Sequence, residues 1–286
     1  MIKNFIVPID FSEDSLKGLE LAILFSRKTY TNIQMVYVQK KTAEHFPARI
    51  REEYNQAKDK FEKIIQTYSE RLGNNSKLRY IIKKGPKVYE EVVNQAESYK
   101  DSIITSSTHG ASGFEEFFIG SNAFKIISAT TRPVITIRKG LVPKEINKIV
   151  LPIDAMVETR QKVVMTSEIA ELFGADVHVL EVSSTKNTKI LKRLGAYSKQ
   201  VTGYLRGRNL NVVNESMVGN NISDMTVEYA QSIGAGMISI ITEQGTSITN
   251  LILGNHAQQI LNKSVIPVLN ITPKEMHFKG SFSTQG

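Results

Sequence analysis

One pattern is written twice in this chain. Phe5-Ile6-Val7-Pro8-Ile9-Asp10 returns as Ile149-Val150-Leu151-Pro152-Ile153-Asp154, with Asp154 lying 144 positions after Asp10. Each copy runs on to an Ile-Gly or Leu-Gly pair and then to a proline-initiated apolar segment. In the first copy these are Ile119-Gly120-Ser121-Asn122 and Pro133-Val134-Ile135; in the second, Leu253-Gly254-Asn255-His256 and Pro267-Val268-Leu269. A repeat of this length is a whole domain, not one unit of a solenoid. A length of 286 residues agrees, at roughly one domain per 150 residues. Differences between the copies then point to where a site survives.

Within each copy, short β-branched runs alternate with amphipathic stretches. In the first, strands are expected over Ile2–Ile9, Asn32–Val38, Lys77–Lys83, Asp101–Ser106 and Val134–Arg138. Helices are expected over Glu13–Arg27 with Ser12 as N-cap, over Ala48–Leu72, after Gly85-Pro86, and over Ser121–Thr130. The stripe Tyr54, Phe61, Ile64 and Tyr68 reads as core packing, and Ser121 as the cap of the last helix. The second copy repeats the order from Lys148–Ile153 to Val268–Ile271, with its first helix expected over Arg160–Phe173. Strands separated by helices imply βαβ units with right-handed crossovers. The expected fold class is therefore α/β: two doubly wound, parallel, five-stranded sheets of Rossmann-like type in tandem. Residues 1–139 form the first domain, 146–272 the second, and 273–286 a polar tail.

Composition removes several function classes. There is no cysteine, hence no disulfide, thiolate metal site or cysteine nucleophile. The five histidines never fall at i,i+3 or i,i+4, so no helical metal pair is expected. No apolar run approaches the ~20 residues of a membrane span, and Met1–Phe5 opens a strand instead of a secretion signal. A cytoplasmic location with no membrane partner is the expectation. The net charge of +8 is spread out without a dense basic block, so nucleic acid is an unfavoured partner. P-loop and dinucleotide fingerprints are both missing.

In an open parallel sheet, ligands bind beyond the carboxyl ends of the strands, where the strand order reverses. Asp10 ends the first strand and Ser107 the fourth. The stretch from Ser107 to Gly120 would lie over that crevice, with the Ser121 helix aiming its amino end inward as an anion site. Gly110 and Gly120 suit a close approach of backbone to phosphate, or a positive φ. A plain glycine-rich turn between strand and helix is the alternative reading of the same residues.

The layout as a whole resembles the universal stress protein family, here as a tandem two-domain member. ATP-binding members carry G-x2-G-x9-G-[ST]. Ser107-Thr108-His109-Gly110, nine residues and then Gly120-Ser121 match it except that serine replaces the first glycine. Pro8-Ile9-Asp10-Phe11-Ser12 also resembles the family's first strand and turn. The resemblance implies an adenine nucleotide alpha hydrolase-like fold and a stress-response protein that binds ATP, possibly with Mg²⁺, as a switch or sensor. It would place Pro8, Ile9 and Asp10 at adenine and ribose, main-chain atoms of Val38 at adenine, and Ser107 at the ribose–phosphate corner. Gly110, Gly120, Ser121 and Asn122 would face the phosphates. No catalytic residue is implied, so at most a slow ATPase is expected, and a nucleotide-free interaction scaffold is the other reading.

The second copy keeps Asp154 but reads Thr242-Glu243-Gln244-Gly245, eight residues, then Gly254-Asn255. Two motif positions differ and the loop is one residue shorter, which makes the first domain the better nucleotide candidate. Last strands at sheet edges invite pairing; in the resembled family this strand mediates dimer contact. The two domains are expected to meet this way as a pseudo-dimer, and a homodimer of chains is a further possibility.

Overall fold

A computed structural model gives the fold. It describes residues 2–40, 47–73, 75–108, 120–138, 142–242 and 254–273, with Lys40 by its backbone alone. The chain divides into two compact units, Met1–Val142 and Pro143–Gly286.

In the first unit the strands are β1 (Asn4–Pro8), β2 (Asn32–Lys40), β3 (Lys77–Gly85), β4 (Ser102–Ser107) and β5 (Val134–Ile137). The helices are α1 (Glu13–Ser26), α2 (Pro47–Tyr68), α3 (Val88–Glu97) and α4 (Ser121–Ala129). The strands lie in the order β3-β2-β1-β4-β5 and every pairing is parallel. The chain moves from β1 to β3 in one direction and then crosses to the far side of β1. Right-handed crossovers therefore place α1 and α2 on one face and α3 and α4 on the other. Helices on both faces explain why Phe5, Ile6 and Val7 are all buried instead of alternating. Ser12 caps α1 as expected, its hydroxyl accepting from the Ser15 amide at 3.2 Å. Glu97 on α3 anchors the approach to β5 by accepting from the Thr131 amide at 2.8 Å and from the hydroxyls of Thr130 and Thr131.

The second unit repeats this order. Its strands are β6 (Lys148–Ile153), β7 (Asp176–Ser183), β8 (Val212–Val218), β9 (Met237–Ile241) and β10 (Val268–Ile271), and its helices α5 (Val163–Phe173), α6 (Thr188–Gly207), α7 (Ile222–Ser232) and α8 (Asn255–Lys263). The strands run β10-β9-β6-β7-β8, again all parallel.

Three expectations are corrected. The α2 stripe buries Ala57 and Phe61, while Tyr54 stands exposed. The first helix of the second unit starts at Val163, because a 3-10 turn spans Glu158–Lys162. Ser121 is not a cap: Gly120 occupies that position and makes no side-chain cap bond.

Candidate functional site

The carboxyl ends of β2, β1 and β4 stand side by side in the first unit, and β1 is the point where the strand order reverses. Pro8 ends β1. The Ile9 amide adds one more bond, to the Val36 carbonyl at 2.9 Å, and there the β1–β2 ladder stops. Backbone groups along a strand point to alternate sides. Val36 presents its carbonyl toward β1, so Val38, two residues on, presents its amide and carbonyl to the same side beyond the end of β1. That is where a planar heterocycle could take main-chain hydrogen bonds.

Asp10 lies exposed at this mouth, its carboxylate accepting from the Ser12 amide at 3.0 Å and the Ser12 hydroxyl at 2.5 Å. Between them Phe11 adopts φ 66°, the left-handed region that a bulky side chain disfavours. Packing holds it there. Its ring sits 4.9 Å from Tyr37 and 4.9 Å from Phe61, with the Lys60 ammonium 5.0 Å above it, and Phe61 stacks on Tyr80 at 4.7 Å. Tyr37 in turn donates to Glu53 at 2.7 Å, and burial followed by the bond to Glu53 pushes its phenol up to about 12. Gln39 donates to the Ile50 carbonyl and to Glu53, tying α2 to the end of β2. This aromatic clamp fixes the Asp10 turn. Sequence reading missed it, since Phe11 and Tyr37 carry no periodic signal that links them.

On the other side, Ser107 ends β4 and is buried. The Thr108 amide donates to the Ile137 carbonyl at 2.9 Å, and the Gly120 amide returns to the Thr108 carbonyl at 2.6 Å. That bond pins the start of α4 to the end of β4, but it also uses the Gly120 amide. Among the described residues, the amides of Ser121, Asn122 and Ala123 at the helix end find no acceptor. Gly120 has φ −57°, so of the two expected reasons for glycine there, positive φ does not apply. Gly110 lies outside the described residues.

The second unit has the same frame. Thr242 donates to the Ile271 carbonyl at 3.0 Å, the counterpart of Thr108 and Ile137, and Gly254 precedes α8 with φ −53°. Eleven residues separate Thr108 from Gly120, and eleven separate Thr242 from Gly254. The loops are thus equal in length; only the glycine has moved by one position. Counting from glycines instead of strand ends produced the apparent deletion. At the strand ends of this unit lies a cavity of about 460 Å³ whose lining includes Asp154, Thr159, Lys162 and His256. Burial lowers the Lys162 ammonium to about 8, with Asp154 pulling partly the other way.

The family model for the universal stress protein family matches residues 1–138 and again 145–271. The chain belongs to the universal stress protein family. Among solved structures, a universal stress protein from Archaeoglobus fulgidus DSM 4304 is similar over 94% of this chain and 98% of its own, at 18% identity and a TM-score of 0.76. A second, from Pseudomonas aeruginosa UCBPP-PA14 and described as a putative universal stress protein, covers 95% of this chain and 94% of its own, at 16% identity and a TM-score of 0.65. Both share the tandem fold. No curated protein matches the chain. Among the described residues, no helix is long and apolar enough to cross a membrane.

Proposed function

We propose that the first domain, residues 1–139, binds an adenine nucleotide at the ends of β1, β2 and β4, with ATP as the expected ligand, and acts as a cytoplasmic stress-response switch without efficient chemistry. The observation that carries this reading is the convergence at one mouth of the Asp10 carboxylate, the Val38 main chain past its ladder, and the orphan amides of α4 tied to β4 through Gly120 and Thr108. Asp10 is suited to ribose hydroxyls, with Pro8 and Ile9 forming the floor. Ser121 and Asn122 are suited to phosphate oxygens, as is Gly110 in the stretch that joins them to Ser107. Mg²⁺ would share the phosphate charge.

Burial of Ser107, where the family motif has its first glycine, favours a second reading, a nucleotide-free scaffold. Calorimetric titration with ATP separates the two. Saturable binding that Gly120→Val weakens at least tenfold supports the nucleotide reading. No binding at millimolar ATP, or equal binding by the variant, supports the scaffold.

A further inference from the structure

From Asp10 to Val38 and from Asp154 to Val182 the two halves have the same length. Asp10 answers to Asp154 and, eight positions on, Gly18 answers to Lys162. In the first domain that position has no room for a side chain. A Cβ on Gly18 would lie 2.8 Å from the Thr105 carbonyl oxygen and 3.1 Å from the Ser106 Cα, both backbone atoms of β4. A lysine there cannot lie between helix and sheet with the helix seated as in α1. In the second domain the helix begins later, at Val163, and the 3-10 turn Glu158–Lys162 takes the place of its first turns.

The lysine is nonetheless kept inside, only 3% exposed, on the wall of the 460 Å³ cavity at the ends of β6, β7 and β9. Its Nζ donates to the Thr159 hydroxyl at 3.1 Å. Among the described residues no carboxylate forms an ion pair with it, and Asp154 acts on it only from a distance. An ammonium has three protons to place. A buried charge left short of partners costs free energy that an incoming anion would recover. Much of the remaining wall is branched and aliphatic: Val182, Ile222, Ile240, Ile241 and Ile260.

We propose that the cavity of the second domain is a binding site for a small amphipathic monoanion, an aliphatic carboxylate whose head pairs with Lys162 and whose tail lies against Ile222, Ile240 and Ile241. A polyphosphate suits the described wall poorly, because Asp154 and Glu158 share it with the one lysine and would repel several negative charges. Nothing in this proposal depends on the nucleotide reading of the first domain.

The test is calorimetric titration of the full chain with sodium hexanoate, octanoate and decanoate, with octanol and octylamine as uncharged and cationic comparisons. Octanoate is expected to bind saturably at one per chain, with affinity rising about two- to fourfold per added methylene. Lys162→Met should weaken octanoate at least tenfold, Lys162→Arg should retain most of it, and Gly120→Val should leave it unchanged. ATP should not displace it. Absence of saturable octanoate binding by the wild-type protein overturns the proposal, and so does equal binding of octanol, which needs no altered residue to measure. Displacement of octanoate by ATP would make the cavity a nucleotide site and also overturn it.

Discussion

Gly18 sits in the sixth position of α1 and packs directly against the backbone of β4. A methyl group there would meet the Thr105 carbonyl oxygen at 2.8 Å, whereas ordinary contact begins near 3.4 Å. Both neighbouring atoms belong to a central strand, so the helix must lift by about 0.6 Å or tilt. Overpacking of this kind costs about 1–3 kcal/mol. Alanine in a helix interior returns about 1 kcal/mol relative to glycine, leaving Gly18→Ala destabilised by about 1 kcal/mol. Gly203 in α6 is the matched control: it is exposed and a Cβ there meets nothing within 4 Å. Gly203→Ala should therefore gain about 1 kcal/mol. Urea unfolding followed by circular dichroism reads both, and a gap of about 2 kcal/mol between the variants is expected. If Gly18→Ala is as stabilising as Gly203→Ala, α1 is not seated on β4 as described, and the account of why Lys162 needs a displaced helix fails with it.

Further outcomes follow from particular contacts. Burial raises the Glu97 carboxyl, but the bonds from Thr131 and Thr130 outweigh it and hold the group below its ordinary value. Glu97→Ala should cost about 1–3 kcal/mol in urea unfolding, since it strands those donors ahead of β5. Phe61→Ala empties the centre of the clamp around Phe11 and should cost about 3–5 kcal/mol. Nucleotide affinity should fall with it as the Asp10 turn loosens. Lys162 is held at about 8 when folded, against an ordinary lysine value of 10.5. Between those values the unfolded chain binds the extra proton, so the stability of the second domain should rise with pH from about 8 toward 10.5, by up to about 3 kcal/mol. Lys162→Met should abolish that rise. Asp154, Glu158 and His256 line the cavity in both proteins, so the difference isolates the lysine.

Much of the fold could be read from periodicity because each copy states it independently. Strand runs such as Ile149–Ile153 are buried on both faces and cannot be mistaken for alternating edge strands. Ser12 also announced the start of α1 through its chemistry. What stayed hidden were features made by tertiary contact. The 3-10 turn before α5 has no local signal; a lysine stands there where the other half has glycine, and a side chain at that glycine would clash with a strand some 90 residues away (Gly18 and Ser106). Tyr54 fits the apolar stripe of α2 yet lies exposed, since hydropathy does not say how far a sheet extends beneath a helix. Asp10 was legible as lying just past the first strand, whereas Val38, expected as the end of the second, lies two residues before β2 ends at Lys40. The use of the Gly120 amide by Thr108 was not legible, because it depends on how α4 is pinned to β4.

Photolabelling with 8-azido-ATP, followed by peptide mapping, tests the central claim most directly. Label confined to peptides that contain Pro8–Ser12 or Val36–Lys40, and suppressed by excess ATP, is the predicted result. Label mapping to the second domain, or unaffected by ATP, would contradict a nucleotide site at the ends of β1 and β2.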